Sequence, residues 1–339
     1  MQRGYLQDAS TKYFTQKMTE ALYRVAKIFY TILAAIGVFV NLMGIMVLSR
    51  GKCGLSTCTT RYLVAMAMAD LLSIIMVVIL WEISWYYFPW TFLHITPVCT
   101  SVAVLMSVAV DCSVWFTVTF SFDRFVAICC PKLKTKYCTK KSASVALAAT
   151  CILLCLRNIP FSFIYEPWKV INNVPWYCDP KPSYYTDPGW VAFDLFDKII
   201  NPLIPFALIL LVNALMVRHI VVTSRVRKEL RSQIKGDNHF DPEMESRKKS
   251  MILVFTISGS FIILWLLSVI ELIYHKIMQK DPEDYNDSEY ILLQVSQMLR
   301  NLNSSTNAFI YGITQTKFRQ QLNSAVKYPF TAIMRLMKK

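Results

Sequence analysis

The amino-acid sequence predicts an all-α membrane protein, a bundle of seven transmembrane helices with a short amphipathic eighth helix on the inner surface. Three observations carry this. The 339-residue chain is 55% hydrophobic and only 17% charged, with a mean hydropathy of +0.39, whereas soluble domains are about a quarter charged. Apolar stretches long enough to span the roughly 30 Å hydrocarbon core of a bilayer recur along nearly the whole length. Lys and Arg gather in alternate connecting segments, which the positive-inside bias places in the cytoplasm. The net charge of +14 therefore suits anionic inner-leaflet membrane lipid, and no nucleic-acid partner is expected.

Residues 1–24 are polar and basic without an apolar centre, so they read as an extracellular N-terminus and not as a cleavable signal peptide. The first span runs from about Val25 to Leu48 and the second from Tyr62 to Leu80, joined by a basic turn holding Gly51 and Gly54. The third occupies Cys99 to Pro131. If helical, it sets Cys99 and Arg124 about 37 Å apart, on opposite sides of the membrane. A loop with Lys132, Lys134, Lys136, Lys140 and Lys141 follows. The fourth span runs from about Ala143 to Ile164, interrupted by Arg157 and Pro160. Glu166 to Gly189, rich in Pro, Trp and Tyr, reads as an extracellular loop. The fifth span continues to about Val222, the sixth covers Met251 to Tyr274 and the seventh Tyr290 to Ile313. Seven crossings within residues 25–313 place the ends on opposite sides. Residues 314–339 form a cytoplasmic tail in which Phe318, Leu322 and Ala325 or Val326 share one helical face, the pattern of a helix lying on the membrane surface.

Cys112, Cys129, Cys130, Cys151 and Cys155 lie in or beside apolar segments and read as small core residues. Only Cys99 and Cys178 fall where an extracellular disulfide can form. Acidic residues cluster between the sixth and seventh spans, in Asp281, Glu283, Asp284, Asp287 and Glu289. The glycosylation acceptor Asn286-Asp287-Ser288 lies in the same loop, as its external placement requires. A second match, Asn303-Ser304-Ser305, falls inside a span and is expected to be unused.

Seven spans of this polarity also suit a transporter or a channel, so motifs must discriminate. Asp123-Arg124-Phe125 resembles the Asp-Arg-Tyr motif of rhodopsin-like (class A) G-protein-coupled receptors, at the family spacing from Cys99. Leu63 to Asp70 resembles the second-helix motif, Asn41 the first-helix asparagine, and Phe261, Leu264 and Trp265 the sixth-helix toggle. Asn307-Ala308-Phe309-Ile310-Tyr311 resembles the seventh-helix Asn-Pro-x-x-Tyr. The five motifs occur in order, across about residues 25 to 327. The chain departs from the family by lacking the fourth-helix tryptophan. Leu267 and Ala308 replace the sixth- and seventh-helix prolines, and Asn213 the fifth-helix tyrosine. Without those prolines the two helices are expected to bend less. With these departures the chain is most similar to the orphan-receptor branch numbered 139 and 142, which is associated with aromatic amino acids and short peptides.

The resemblance implies a cell-surface receptor in the plasma membrane. It would bind an extracellular ligand, a small amino-acid-like molecule or a short peptide, and activate a heterotrimeric G protein. Asp123, Arg124, Phe125, Asn213, Phe261, Trp265, Asn307 and Tyr311 would form the activation switch, with Arg124 paired to Asp123 when inactive. Asn41, Asp70, Ser113, Asn303 and Asn307 match the polar core that can hold a sodium ion, the one cofactor expected; a hydrogen-bonded core without an ion is the alternative.

The candidate ligand pocket takes in Met106, Asp111, Asp194, Asp197, Trp265, Glu271 and Arg300. Met106 stands where amine receptors carry aspartate, which disfavours a monoamine. Asp111 and Arg300 lie at similar depth, about 18 Å and 15 Å into their helices. They read either as a mutual salt bridge or as a clamp on the two ends of an amino-acid-like ligand. Asp194, Asp197, Lys198, Glu271 and His275 would form a polar rim, or snorkel at the interface. Trp81, Trp85, Trp90, Trp168, Trp176 and Trp190 read as interfacial belt residues and not as ligand contacts.

An enzyme is not expected: no metal-protease pair, nucleophile elbow or phosphate loop is present. A receptor-like binding protein with weak or no G-protein output is the alternative that the missing prolines and Asn213 suggest. A transporter finds no internal repeat or broken-helix pair.

Overall fold

A computed structural model of the protein describes residues 2–233, 242–278 and 286–336. The first helix spans Gln2–Ser49, the second Thr57–Tyr87, the third Thr96–Cys129 and the fourth Lys140–Phe163, whose last turn is 3₁₀. The fifth is built from Pro188–Lys198, Ile199–Leu203 and Ile204–Gln233. The sixth spans Pro242–Met278, the seventh Asp287–Thr314 and the eighth Thr316–Leu336.

The elements follow the expected order and overrun the apolar stretches at most ends, because helix propagation does not stop at the edge of a hydrophobic segment. The largest excess is in the first helix, which begins at Gln2 and not near Val25. No proline lies between Gln2 and Ser49 to halt it, and Arg24 pairs with Glu20 one turn back. Asp281, Glu283 and Asp284 of the acidic cluster, and residues 234–241 of the loop between the fifth and sixth helices, lie outside the described residues.

Six of the described helices are long and apolar enough to cross a membrane. The seventh is the polar one. Asn301, Asn303, Ser304, Ser305 and Asn307 are all buried along it, so its polar side faces the bundle. Asn286, the expected glycan acceptor, is exposed and caps this helix: its side chain accepts from the Glu289 amide while the Glu289 carboxylate accepts from the Asn286 amide.

The third helix packs against the second, fourth, fifth and sixth, and the seventh against the sixth and first. The inner half of the bundle is filled by a core that includes Leu63, Met66, Phe120, Met216, Leu253 and Tyr311. A smaller core holds Tyr30, Leu33 and Ile74 between the first two helices, and another gathers Val114, Ile209, Phe261 and Trp265. The sixth and seventh helices run unbroken through Leu267 and Ala308. Irregularity sits elsewhere. Ile74–Ile83 of the second helix is π-helical, and the fifth breaks at Asn201 (φ −149, ψ 114), just before Pro202. In the first inner loop Gly51 and Gly54 take positive φ, 68 and 71, which glycine adopts without steric cost.

The second outer loop is ordered by pairing. Lys169–Ile171 and Val174–Trp176 form a hairpin whose two turn residues, Asn172 and Asn173, have φ of 50 and 61. Asparagine is among the few residues that accept this region, which a two-residue hairpin turn demands. Tyr165–Glu166 pairs with Asp179–Pro180. A bridge from Trp176 to Ile95 and a hydrogen bond from the Tyr177 amide to the His94 carbonyl tie the hairpin to the first outer loop.

Candidate functional site

The third helix presents functional groups at four levels. At its outer end, Cys99 is joined to Cys178 by a disulfide, the bridge expected from the sequence. Beside it opens a cavity of about 500 Å³. Its walls come from the second helix (Trp81, Glu82, Trp85, Tyr86), the outer loops (His94, Trp168, Tyr177, Asp179), Tyr23 of the first helix, and Tyr290, Gln294 and Gln297 of the seventh. The rings of Trp85, Trp90, His94 and Trp168 all lie 5.5–5.8 Å from that of Tyr177, whose hydroxyl donates to the Pro89 carbonyl at 2.8 Å.

The pocket residues expected from the sequence lie away from this cavity. None of Met106, Asp111, Asp194, Asp197, Trp265, Glu271 or Arg300 is among the cavity's lining residues. Trp81, Trp85 and Trp168, read as belt residues, are. The outer loop folds inward because its disulfide and hairpin fasten it over the second helix, and hydropathy carries no record of that fastening.

His94 is buried among these rings, and among the described residues its side chain hydrogen-bonds to the hydroxyls of Ser84 (3.4 Å) and Thr91 (3.5 Å). Burial pushes its pKa below the ordinary histidine value. The unfolded chain therefore takes up this proton first, and stability is lost as pH falls through about 6.5. We expect the wild type to lose more thermal stability than His94→Gln between pH 7.5 and about 5.5, measured by fluorescence melting; equal losses would remove His94 from the account.

One level down, Asp111 does not meet Arg300. Its Oδ2 accepts from Arg157 at 2.6 Å and Asn158 at 2.7 Å, and its Oδ1 from Asn201 at 2.5 Å. Arg157 also pairs with Asp197. Asp111 leaves the third helix toward the fourth and fifth. Asp197 is thus part of this network, whereas Asp194 accepts from Tyr184, Lys198 and Lys276 at 2.7–3.2 Å. Arg300 instead lies 5.8 Å from the centre of the Trp265 ring, within electrostatic range of Glu271 and Glu82. Glu271 faces His275 at 3.5 Å, and Met106 is half-buried.

The polar core comes next. Buried Asp70 accepts from Ser113 at 2.5 Å and from Asn307 at 2.8 Å, one hydrogen bond to each carboxylate oxygen. Asn303 is buried, and Asn41 donates to the carbonyls of Gly37 and Ser304, which fastens the first helix to the seventh. Trp265 stacks on Phe261 at 5.3 Å. At the inner end Arg124 pairs with Asp123, its Nε donating at 2.9 Å. Asp123 also accepts from the Cys58 thiol at 3.2 Å. Phe125 is half-buried against the inner core, Tyr311 fully buried within it, and Asn213 donates to the Ile209 carbonyl.

Three residues escaped the sequence reading: Glu82, Arg157 as a partner of Asp111, and Asn201. The first two carried a usable signal, since each is a formal charge inside an apolar run. Asn201 carried none beyond its place before proline.

A bundle of seven helices with a disulfide-tethered outer loop, a cavity beneath it and an arginine ion pair at the opposite end defines a seven-helix membrane receptor. Residues 20–311 match the family described as "7 transmembrane receptor (rhodopsin family)", and the chain belongs to that family, a multi-pass membrane receptor family and not a class of enzymes. The chain is similar to Neuropeptide receptor 22 of Caenorhabditis elegans, with 27% identity over 89% of this chain and 69% of the relative. It is 21% identical to the FMRFamide receptor of Drosophila melanogaster, over 87% of this chain and 52% of the relative. Identity to Probable G-protein coupled receptor 142 of Mus musculus is 23%, over 66% of this chain and 53% of that one. The chain thus spans about half the length of the last two.

Proposed function

We propose that the protein is a plasma-membrane receptor, N-terminus outside, which binds a short extracellular peptide in the outer cavity and activates a heterotrimeric G protein at the inner face. The observation that carries the ligand class is the cavity itself: about 500 Å³, walled by aromatic rings that include Trp168 and Tyr177 on either side of the outer-loop hairpin, within the usual size of a site for a small ligand. The relatives named for neuropeptides and FMRFamide support the same reading.

Binding there would favour one of two pre-existing arrangements of the bundle. The second and seventh helices, which carry the aromatic wall, are also joined by the Asn307–Asp70 hydrogen bond, and the Asp123–Arg124 pair closes the third helix near the exposed Lys132, Lys134 and Lys136. Release of Arg124 from Asp123 would open the docking surface for the G protein. Asp70, Ser113, Asn303 and Asn307 also offer hard oxygen donors suited to sodium. Ser73, one turn beyond Asp70, has a buried hydroxyl without a hydrogen-bond partner among the described residues. These residues would hold the ion, whose charge would offset the buried carboxylate.

The test is nucleotide exchange on G proteins in membranes carrying the receptor, challenged with FMRFamide and related short amidated peptides. Exchange above mock-transfected membranes is expected. Surface-expressed receptor that is silent to the whole peptide series would overturn the peptide reading. Silence without ligand as well would favour a binding protein lacking G-protein output, the alternative that the unbroken sixth helix supports.

A further inference from the structure

The cavity contains a carboxylate that the receptor itself does not use. Glu82 projects from the π-helical part of the second helix, where the wider turn shifts the register of side chains relative to an α-helix. It lines the cavity and is half-buried. Its carboxylate makes no hydrogen bond or ion pair with a described residue, and Arg300 acts on it only through space. This differs from the other carboxylates of the bundle. Asp70 accepts from Ser113 and Asn307, Asp111 from Arg157, and Asp123 from Arg124. A carboxylate inside a span that faces a cavity and finds no donor among the described residues is open to a cation brought by a ligand.

We propose that Glu82 is the anionic floor of a cation subsite that takes the guanidinium group of an arginine in the ligand, an inference resting on the peptide-receptor reading above. Two features select guanidinium over a simple ammonium. The cavity that Glu82 lines is also walled by the aromatic side chains of Trp81, Trp85, Tyr86 and Tyr290, and a planar guanidinium stacks on such faces while an ammonium stays strongly hydrated. Gln294 and Gln297 line the same cavity from the seventh helix. Their amide oxygens add acceptors for a group with five N–H donors, more than one carboxylate satisfies.

The test is direct binding to the purified full-length receptor, by thermal shift, of Arg-Phe-amide and of its citrulline analogue, which keeps the shape and removes the charge. The wild type is expected to bind the arginine peptide roughly ten- to a hundred-fold more tightly, the range of a charge-assisted hydrogen-bonded pair. Glu82→Gln should bind the two alike, and Glu82→Asp should keep part of the preference. Equal affinities in the wild type, a preference that survives in Glu82→Gln, or no binding of either peptide would overturn the subsite. Should Glu82→Gln fail to fold, the wild-type comparison and Glu82→Asp still decide.

The two readings fail separately. A receptor that binds Arg-Phe-amide through Glu82 but triggers no nucleotide exchange refutes G-protein output and leaves the subsite standing. One activated by FMRFamide with unchanged potency in Glu82→Gln refutes the subsite alone.

Discussion

Arg157→Met is expected to reduce surface expression sharply and to lower the melting temperature of the detergent-solubilised protein more than any other single substitution in the outer half of the bundle. Arg157 joins Asp111 of the third helix to Asp197 of the fifth from its own place on the fourth. Removing it leaves two carboxylates facing each other without a cation. Breaking a buried ion pair from one side costs about 3–5 kcal/mol, a large part of the stability of a typical domain. Arg157→Lys keeps the charge but not the fork that reaches two carboxylates, so an intermediate loss follows. The triple variant Arg157→Met, Asp111→Asn, Asp197→Asn should regain much of the loss, because no uncompensated charge remains. Wild-type melting of Arg157→Met alone would show that the network contributes nothing.

The second large effect is at the inner end. Arg124→Ala should abolish ligand-stimulated nucleotide exchange per receptor reaching the surface, because it removes the cation proposed to meet the G protein. Asp123→Asn should act in the opposite sense and raise exchange without ligand. Its carboxylate accepts from both the Arg124 guanidinium and the Cys58 thiol. Replacing a charge-assisted hydrogen bond by a neutral one forfeits about 1.5 kcal/mol, which moves a two-state equilibrium about ten-fold. Ligand-free exchange of Asp123→Asn at the wild-type level would remove this pair as the restraint on activation.

What the sequence disclosed follows from what hydropathy and spacing encode. The order of helices, the Cys99–Cys178 bridge and, as residue number multiplied by a fixed rise, an expected depth for each buried charge were legible. Azimuth was not. The third helix is apolar on nearly all sides, so its periodicity does not say which way Asp111 points. Asp111 and Arg300, though at one depth, are drawn to different partners. Glu82 went unremarked, although the rule that singled out Asp111 applies to it equally. The aromatic residues of the outer loop could not be separated from membrane-belt residues, since the hairpin that turns them inward is specified by two asparagines and a disulfide and not by hydrophobicity. The cavity therefore lies on the second- and seventh-helix side, while the sequence points to a pocket between the third, fifth, sixth and seventh helices.

The polar seventh helix has a consequence for how the protein is made. Arg300 and the asparagines around it oppose partition of that segment into lipid by itself, since a charged residue near the centre of a span carries a penalty of about 2.5–3.5 kcal/mol at insertion. Its residence in the membrane depends on partners already in place: Asp70 for Asn307, the first helix for Ser304, and Ser268 of the sixth, whose hydroxyl donates to the Ser296 carbonyl. Ordered biogenesis is the expected result, with the six helices long and apolar enough to span by themselves forming the berth for the last. Substitutions in the polar core will then register first as failures of topology and export from the endoplasmic reticulum, before any defect in signalling can be measured.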